Sequence, residues 1–445
     1  MGKSLQIGLR LEMAFWAWGA KVNEEGLFMK WGGWRITQVN AEAELKEGQR
    51  RFEFSFPILI FRTQIFSGFF DRLGSFRLSR LVSWAAIMVV PIVACVGLYL
   101  VFSSLFALLL NPGAGEVIRE VGPGAYILLP GVNPLLPFLY GWLAIICAVV
   151  IHEASHGITA RSLGLKVNSS GLLFFLLIPI GAFVDVDEEQ LKRSRPKVSS
   201  RVLASGVGGN IALAVICLLC LLMVINGLKP VVDGVYVYNV SPGMPAEAAG
   251  ILPGDVIVSV DKVRVNSTRD LRTLLDKKSF GDVVLVTVAR GEMWRELFST
   301  NVSLTVAENR TVMGVSVGDL MTWERLRNYQ TVSLARLSMY LVPPALAPGL
   351  VPFSDALASF YTHWLGPYWH VSANMFYWLW FVNFNVAIFN ALPIYPLDGG
   401  RIFNIALKNA KGLKQREKLV SGITIAVTAV IILTILMTII IPFVT

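Results

Sequence analysis

The sequence predicts a polytopic α-helical membrane protein with an inserted small β-rich domain, and three observations predict it. Of 445 residues, 54% are hydrophobic and only 16% charged, with mean hydropathy +0.60. Soluble domains carry about 25% charged residues, so a water-soluble globular protein, a disordered chain and a collagen-like chain are all excluded. Four uncharged stretches, 82–110, 125–151, 202–228 and 419–444, exceed the roughly 20 residues needed to cross a bilayer. Over residues 230–310 the composition changes abruptly to short valine-rich runs separated by Gly, Pro and Asp.

Taken in order, residues 1–80 read as a mixed, basic cytoplasmic or interfacial region. Lys3, Arg10, Glu12 and Lys21 interrupt any signal-peptide core. The alternation of Phe52, Phe54 and Phe56 fits a strand or an interfacial segment. Residues 81–228 form the first half of a membrane core. Within it, 170–184 is an apolar run of about 15 residues, too short to span, and Pro179 and Gly181 suit it to a re-entrant hairpin. Residues 311–370, with Pro343, Pro344, Pro348 and Pro352, read as an interfacial linker. Residues 371–445 form the second half of the core. There the uncharged stretch 371–392 contains Asn374, Asn383, Asn385 and Asn390, which should face other helices or a cavity. Trp364, Tyr368, Trp369, Tyr377, Trp378 and Trp380 read as an aromatic belt. Cys95, Cys147, Cys217 and Cys220 lie in apolar runs and read as small core hydrophobes.

The net charge of +9 points to loops beside anionic headgroups of the lipid bilayer, not to nucleic acid. Arg62, Arg72, Arg77 and Arg80 precede the first span. Arg161, Lys166, Lys192, Arg193, Arg195, Lys197 and Arg201 flank the short apolar run, and Arg401, Lys408, Lys411, Lys414, Arg416 and Lys418 lie before the last span. By the positive-inside rule these segments are cytoplasmic and the 230–310 insert is extracytoplasmic. Sequons at Asn239, Asn266, Asn301 and Asn309 agree with that side.

The insert reads as strands at Val235–Val240, Val256–Val260 and 283–289, with a helix at 268–276. Between its first two strands a small-residue helix leads to Gly250, and Gly254-Asp255 launches the next strand. This pattern resembles a bacterial-type PDZ domain, which takes extended peptide as an added strand and engages peptide C-termini. A β-rich spacer packed on the membrane domain is the alternative.

The chemistry begins at His152-Glu153-Ala154-Ser155-His156, at the end of the second apolar stretch. Positions four apart share a helix face, so both imidazoles can ligate one zinc, while Glu153 is placed to act as general base toward water. A catalytic zinc takes three protein ligands. His363 and His370 offer the right side chain, but the topology puts them near the opposite face. Asp398 follows Pro393 and Pro396 and precedes Gly399 and Gly400, a break that turns a carboxylate back at matching depth, although an ordinary Asp-Gly turn fits the same residues.

His152–His156 together with Pro396-Leu397-Asp398-Gly399-Gly400 resembles the site-2 protease family of intramembrane zinc proteases, in its eukaryotic and archaeal branch. Leu129-Pro130-Gly131-Val132-Asn133, Gly181-Ala182-Phe183-Val184-Asp185 and Asn390-Ala391-Leu392-Pro393 are similar to further stretches of that branch. The resemblance implies that Asp398 is the third zinc ligand and that Asn210, in Gly206-Val207-Gly208-Gly209-Asn210, matches a core asparagine of the family. The additional N-terminal span and cysteine-rich insert of animal members are not found.

A buried amide such as Asn210 or Asn390 could stabilise an oxyanion or contact substrate; interhelical hydrogen bonding is the plain alternative. Gly181, Ala182 and Phe183 would offer a strand edge to an unwound transmembrane protein substrate. The expected function is intramembrane zinc endopeptidase, cleaving transmembrane segments of membrane-anchored regulators. A membrane zinc protease acting on soluble or misfolded proteins, and a non-catalytic PDZ-bearing scaffold, are the alternatives.

Overall fold

The computed structural model describes residues 21–23, 26–28 and 51–444, apart from 56, 112, 176–177, 308–309, 320–322, 332 and 414. Lys3, Arg10, Glu12, Phe56, Asn309 and Lys414 therefore lie outside the described residues. Residues 1–49 form a unit of their own, whose described part is an antiparallel pair, β1 (Lys21–Asn23) and β2 (Gly26–Phe28). A second unit begins at Arg50.

That unit opens with β3 (Arg51–Ser55) paired to β4 (Ile58–Thr63). A short helix α1 (Ser67–Ser75) leads to α2 (Arg77–Leu110), and α3 (Ala114–Val121) follows. The second span differs from the apolar stretch 125–151. Pro130, Pro134 and Pro137 keep the chain out of helix, because proline lacks the amide donor and restricts the residue before it. Helix α4 (Phe138–Ser162) starts only after Pro137 and runs past the histidine motif. The expected re-entrant segment is a β-hairpin, β5 (Val167–Phe175) and β6 (Ile178–Val186). Its first strand pairs with β4, giving a sheet of order β3-β4-β5-β6. The expected boundary at residue 80 is thus corrected, since strands from the N-terminal region belong to the sheet of the membrane core. That pairing joins residues over 100 positions apart in sequence, as in Thr63 opposite Ser170, which no local pattern encodes.

Helix α5 (Glu188–Arg193) is capped by Asp187, whose carboxylate accepts from the Gln190 N–H at 2.9 Å. Helix α6 (Pro196–Asn226) begins with proline in its first turn. Gly208 and Gly209 let it lie close to its neighbours: a β-carbon at Gly208 would sit 2.6 Å from that of Ala86 on α2, and one at Gly209 would sit 2.1 Å from Ser155 Oγ on α4.

The β-rich insert is entered through β7 (Lys229–Pro230). It comprises β8 (Val235–Val240), α7 (Pro245–Ala248), β9 (Val256–Val260), β10 (Val263–Arg264), α8 (Thr268–Leu275), β11 (Val283–Arg290) and β12 (Glu296–Ser303), and then β13 (Thr305–Ala307), β14 (Arg310–Val312) and β15 (Val315–Gly318). The main sheet has the order β12-β11-β9-β8-β15, with β10 paired to β9. Val235, Val237, Ile257, Leu271, Val284, Val286, Val288 and Val302 form its core. Gly250 (φ +75°) ends α7 and Gly254 (φ +95°) launches β9 from the left-handed region. Because β15 closes the sheet and Asp319 accepts from the Thr268 N–H and hydroxyl at the start of α8, the domain extends to 319. The expected boundary of 310 is corrected accordingly.

Residues 323 onward are also more than an interfacial linker. After α9 (Trp323–Gln330), Tyr329, Tyr340 and Phe353 are fully buried against the membrane core, and β16 (Tyr361–Thr362) pairs with β7. Helix α10 (Tyr368–Ala391) is central rather than peripheral. Trp369, Tyr377, Trp378 and Trp380 are buried along it, so only Trp364 and Tyr368, 80% and 74% exposed, keep the position expected of an aromatic belt. Helices α11 (Asp398–Asn409) and α12 (Glu417–Val444) complete the chain. Among the described residues four helices, α2, α4, α6 and α12, are long and apolar enough to cross a membrane. Among the cysteines only Cys217 is buried; Cys95 is exposed, and Cys147 and Cys220 are half-buried.

Candidate metal centre

Helix α4 places His152 and His156 one turn apart on the face it turns to α6. The His156 ring is pinned from behind, because Nδ1 lies 2.7 Å from Val202 O. A carbonyl only accepts, so Nδ1 carries the proton and Nε2 presents a lone pair. That atom is 3.2 Å from His152 Nε2, and Asp398 Oδ2 is 3.1 Å from each of the two.

Asp398 reaches this point because α10 ends before Pro393 and α11 starts at the aspartate itself. The first turn of α11 is pressed against the end of α10: a β-carbon at Gly399 would lie 2.1 Å from Ala391 O, and one at Gly400 2.3 Å from the Ile394 carbonyl carbon. Only glycine permits that approach. Gly206 does the same on the other side, since a β-carbon there would lie 2.5 Å from His156 Nε2 and 2.7 Å from His152 Nε2.

The donor set fits zinc. Two imidazole nitrogens and one carboxylate oxygen form a nearly equilateral triangle, and tetrahedral bonds of about 2.0–2.1 Å would place ligand atoms roughly 3.3 Å apart. Three lone-pair-bearing atoms held this close repel one another unless a cation lies among them. Asp398 Oδ2 is buried with no hydrogen-bond donor assigned to it. His152, His156 and Asp398 are the one such group among the described residues.

Glu153 lies beside this triangle, between α4 and the hairpin. Its Oε2 accepts from the Val184 N–H at 3.0 Å. Val184 is on β6, which pairs with β5 on one side only, so the carboxylate sits at the outer edge of the sheet. Gly181, Ala182 and Phe183 precede it on the same strand, with the Phe183 ring 5.3 Å from the Arg62 guanidinium carbon.

The two amides separate. Asn210 is fully buried on α6, and its Nδ2 donates to Ala148 O at 3.2 Å, one turn before His152. Asn390 donates to Val386 O and lines a cavity of about 540 Å³ with Asn133, Trp378 and Asn385, a lining that includes none of His152, Glu153, His156 or Asp398. His363 and His370 lie elsewhere: His363 Nδ1 accepts from the Leu365 N–H, and His370 meets Asn374 and Asp355. Sequence reasoning missed Gly206 as part of the site, together with the Val184 amide and the Val202 carbonyl. The glycine had a visible signal in its spacing of four from Asn210, whereas backbone groups leave none.

The description "Peptidase family M50" matches residues 140–435. An uncharacterised protein of Methanocaldococcus jannaschii is 24% identical over 364 residues, covering 80% of each chain. A Nostoc sp. protein provisionally named a zinc metalloprotease is 24% identical over 323 residues, 62% of this chain and 87% of that one. The PDZ domain of the SdrC-like protein of Listeria monocytogenes is similar to 20% of this chain and 92% of its own, at 24% identity and TM-score 0.18. With a match spanning well over half its length and a zinc-type donor set inside it, the chain belongs to peptidase family M50, the site-2 protease family, and is a multi-pass membrane zinc metalloprotease.

Proposed function

We propose that the protein is an intramembrane endopeptidase that cuts transmembrane segments of membrane-anchored regulatory proteins, acting after a first cut has removed a bulky ectodomain. The observation that carries this reading is the meeting of a general base, a metal-ligand triangle and an unpaired strand edge at the end of a membrane-spanning helix. His152, His156 and Asp398 would hold the zinc, which would supply Lewis-acid chemistry for peptide hydrolysis near neutral pH.

The chain's own residues do the rest. Glu153 accepts the proton of the attacking water and returns it to the leaving amine. A substrate helix hides its amides in its own hydrogen-bond ladder and must unwind first. Side alternation along β6 turns the Ala182 backbone to the same edge as the Val184 N–H, away from β5. Residues 181–183 thus form a template on which an extended substrate is added as a strand next to Glu153. Asn390 and its cavity contact the substrate away from the cut. The basic flanks place this end of the molecule on the cytoplasmic side, with the PDZ-like domain outside. There β15, an unpaired edge of its sheet beside α8, engages a newly made peptide C-terminus.

The test is cleavage of a single-span substrate in liposomes by wild type and Glu153→Gln, with zinc quantified in both. Cleavage should fall by about 10²–10⁴-fold in the variant with zinc retained. Full cleavage by the variant would overturn the assignment of Glu153 as general base, and zinc-loaded wild type that cuts no single-span substrate would favour a scaffold.

A further inference from the structure

Besides the metal-facing Asp398 Oδ2, two buried polar atoms next to the metal centre lack partners. His152 Nδ1 is one, and Asn210 Oδ1 is the other, the orphaned acceptor on the two helices that carry and flank the histidines. They are complementary. A histidine that ligates through Nε2 carries its proton on Nδ1 and needs an acceptor for it. His156 has that acceptor in Val202 O at 2.7 Å; His152 has none in direct reach.

The placement brings the pair together. Asn210 Nδ2 donates to Ala148 O at 3.2 Å, and in the α4 ladder Ala148 O is the acceptor of the His152 N–H. One turn earlier on α6, Gly206 lies directly against both imidazoles. The Asn210 amide is therefore anchored beside the His152 backbone with its oxygen turned away from Ala148. Both residues are more than nine-tenths buried, His152 at 8% and Asn210 at 0% exposure. Leaving a buried donor and a buried acceptor at the same α4–α6 contact without partners would be unfavourable for each.

We propose that Asn210 is a positioning residue for His152. One ordered water accepts from the His152 Nδ1–H and donates to Asn210 Oδ1, fixing the tautomer and the ring plane as Val202 O does directly for His156. The inference rests on His152 being a zinc ligand. It assigns Asn210 an action through His152 and not through the substrate.

The experiment measures zinc affinity by chelator competition on the full-length protein in detergent, with thermal midpoints recorded for the metal-free forms. Asn210→Leu removes the acceptor at similar volume and should weaken zinc binding by about 10–100-fold. Asn210→Ala serves the same purpose if the branched side chain prevents folding. Asn210→Asp keeps an oxygen at the acceptor position and should restore most of the affinity. A purely structural asparagine would lower the thermal midpoint without changing zinc affinity, and an oxyanion contact would lower kcat alone. Unchanged affinity in the Leu or Ala variant overturns the proposal. A wild type that binds no zinc would instead remove the metal-site reading on which it rests.

Discussion

The two largest antiparallel sheets among the described residues each end in an unpaired strand, β6 in one and β15 in the other, and they differ in what lies beside that edge. In the membrane core, β6 runs along α4 and its outer Val184 N–H is held by the Glu153 carboxylate. In the PDZ-like domain, β15 closes the sheet beside α8, where Asp319 caps the first turn. Strand addition has the same backbone chemistry at both edges, so the neighbouring side chains determine the fate of a bound peptide. Beside one edge lie the Glu153 carboxylate and the metal-ligand triangle; beside the other lies the capped start of α8.

The comparison breaks most visibly at the metal side. Gly206→Ala places a methyl group within 2.5–2.7 Å of ring atoms of both histidines, closer than packed atoms approach. The variant should lose stoichiometric zinc and most activity, while the β-rich domain keeps its fold. Metal analysis and circular dichroism check this, and a zinc-replete, active variant would contradict the geometry.

The next effect is on the β6 edge. Ala182→Pro removes an outward amide without touching the β5 ladder, a position where a strand tolerates proline. Cleavage should fall at least about tenfold, as for other lost positioning contacts, with zinc bound as before. Retained cleavage would remove the strand-addition step.

In the other sheet, Arg290 forms two bonds of 2.7 Å to Asp255, whose side chain is only 2% exposed. Arg290→Ala strands that buried carboxylate and should destabilise the domain by about 3–5 kcal/mol. Hydrogen exchange should rise across β9 and β11, yet zinc content should not change. Loss of zinc in this variant would mean that the contact of Val256 and Ala289 with the membrane core carries the change to the metal centre.

The smallest effect is a pH dependence. Lys278 donates to the half-buried Asp261 carboxylate at 2.7 Å, and the Leu285 N–H donates to it at 2.9 Å. These bonds hold its pKa below the ordinary value. The stability they contribute is present above the unfolded carboxylate pKa near about 4 and is lost as pH falls through the lower folded value. Asp261→Asn should make the acid limb of the domain's stability curve shallower, as read by thermal midpoints between about pH 2 and 5.

The two sheets also differ in how much of them is legible in the sequence. In the PDZ-like domain, each strand alternates within its own run and the Gly-Asp turn marks where β9 starts, so local pattern is enough. Its end is harder to place because β15 pairs with β8, some distance back along the chain. The membrane sheet reads as a failed span: an apolar run of that length carries no sign of its partner, and β4 comes from a region with no apparent link to it. At the metal centre, His152, Glu153 and His156 share one helical turn and are legible outright. Asp398 needs the proline break and a family resemblance. Gly206 is visible only as a neighbour of Asn210, and its role emerges from helix packing. The aromatic residues of α10 depart from the expected belt because hydropathy does not distinguish a ring facing lipid from one buried against α6.

The most direct test of the account is the position of the cut. A single-span substrate reconstituted with the wild-type protein should yield fragments, sized by mass spectrometry, whose new termini lie within the hydrophobic segment toward its cytoplasmic end. The same sample with Glu153→Gln should yield none. Termini found only in the soluble flanks would contradict intramembrane cleavage and leave a membrane-anchored zinc protease that cuts at the surface.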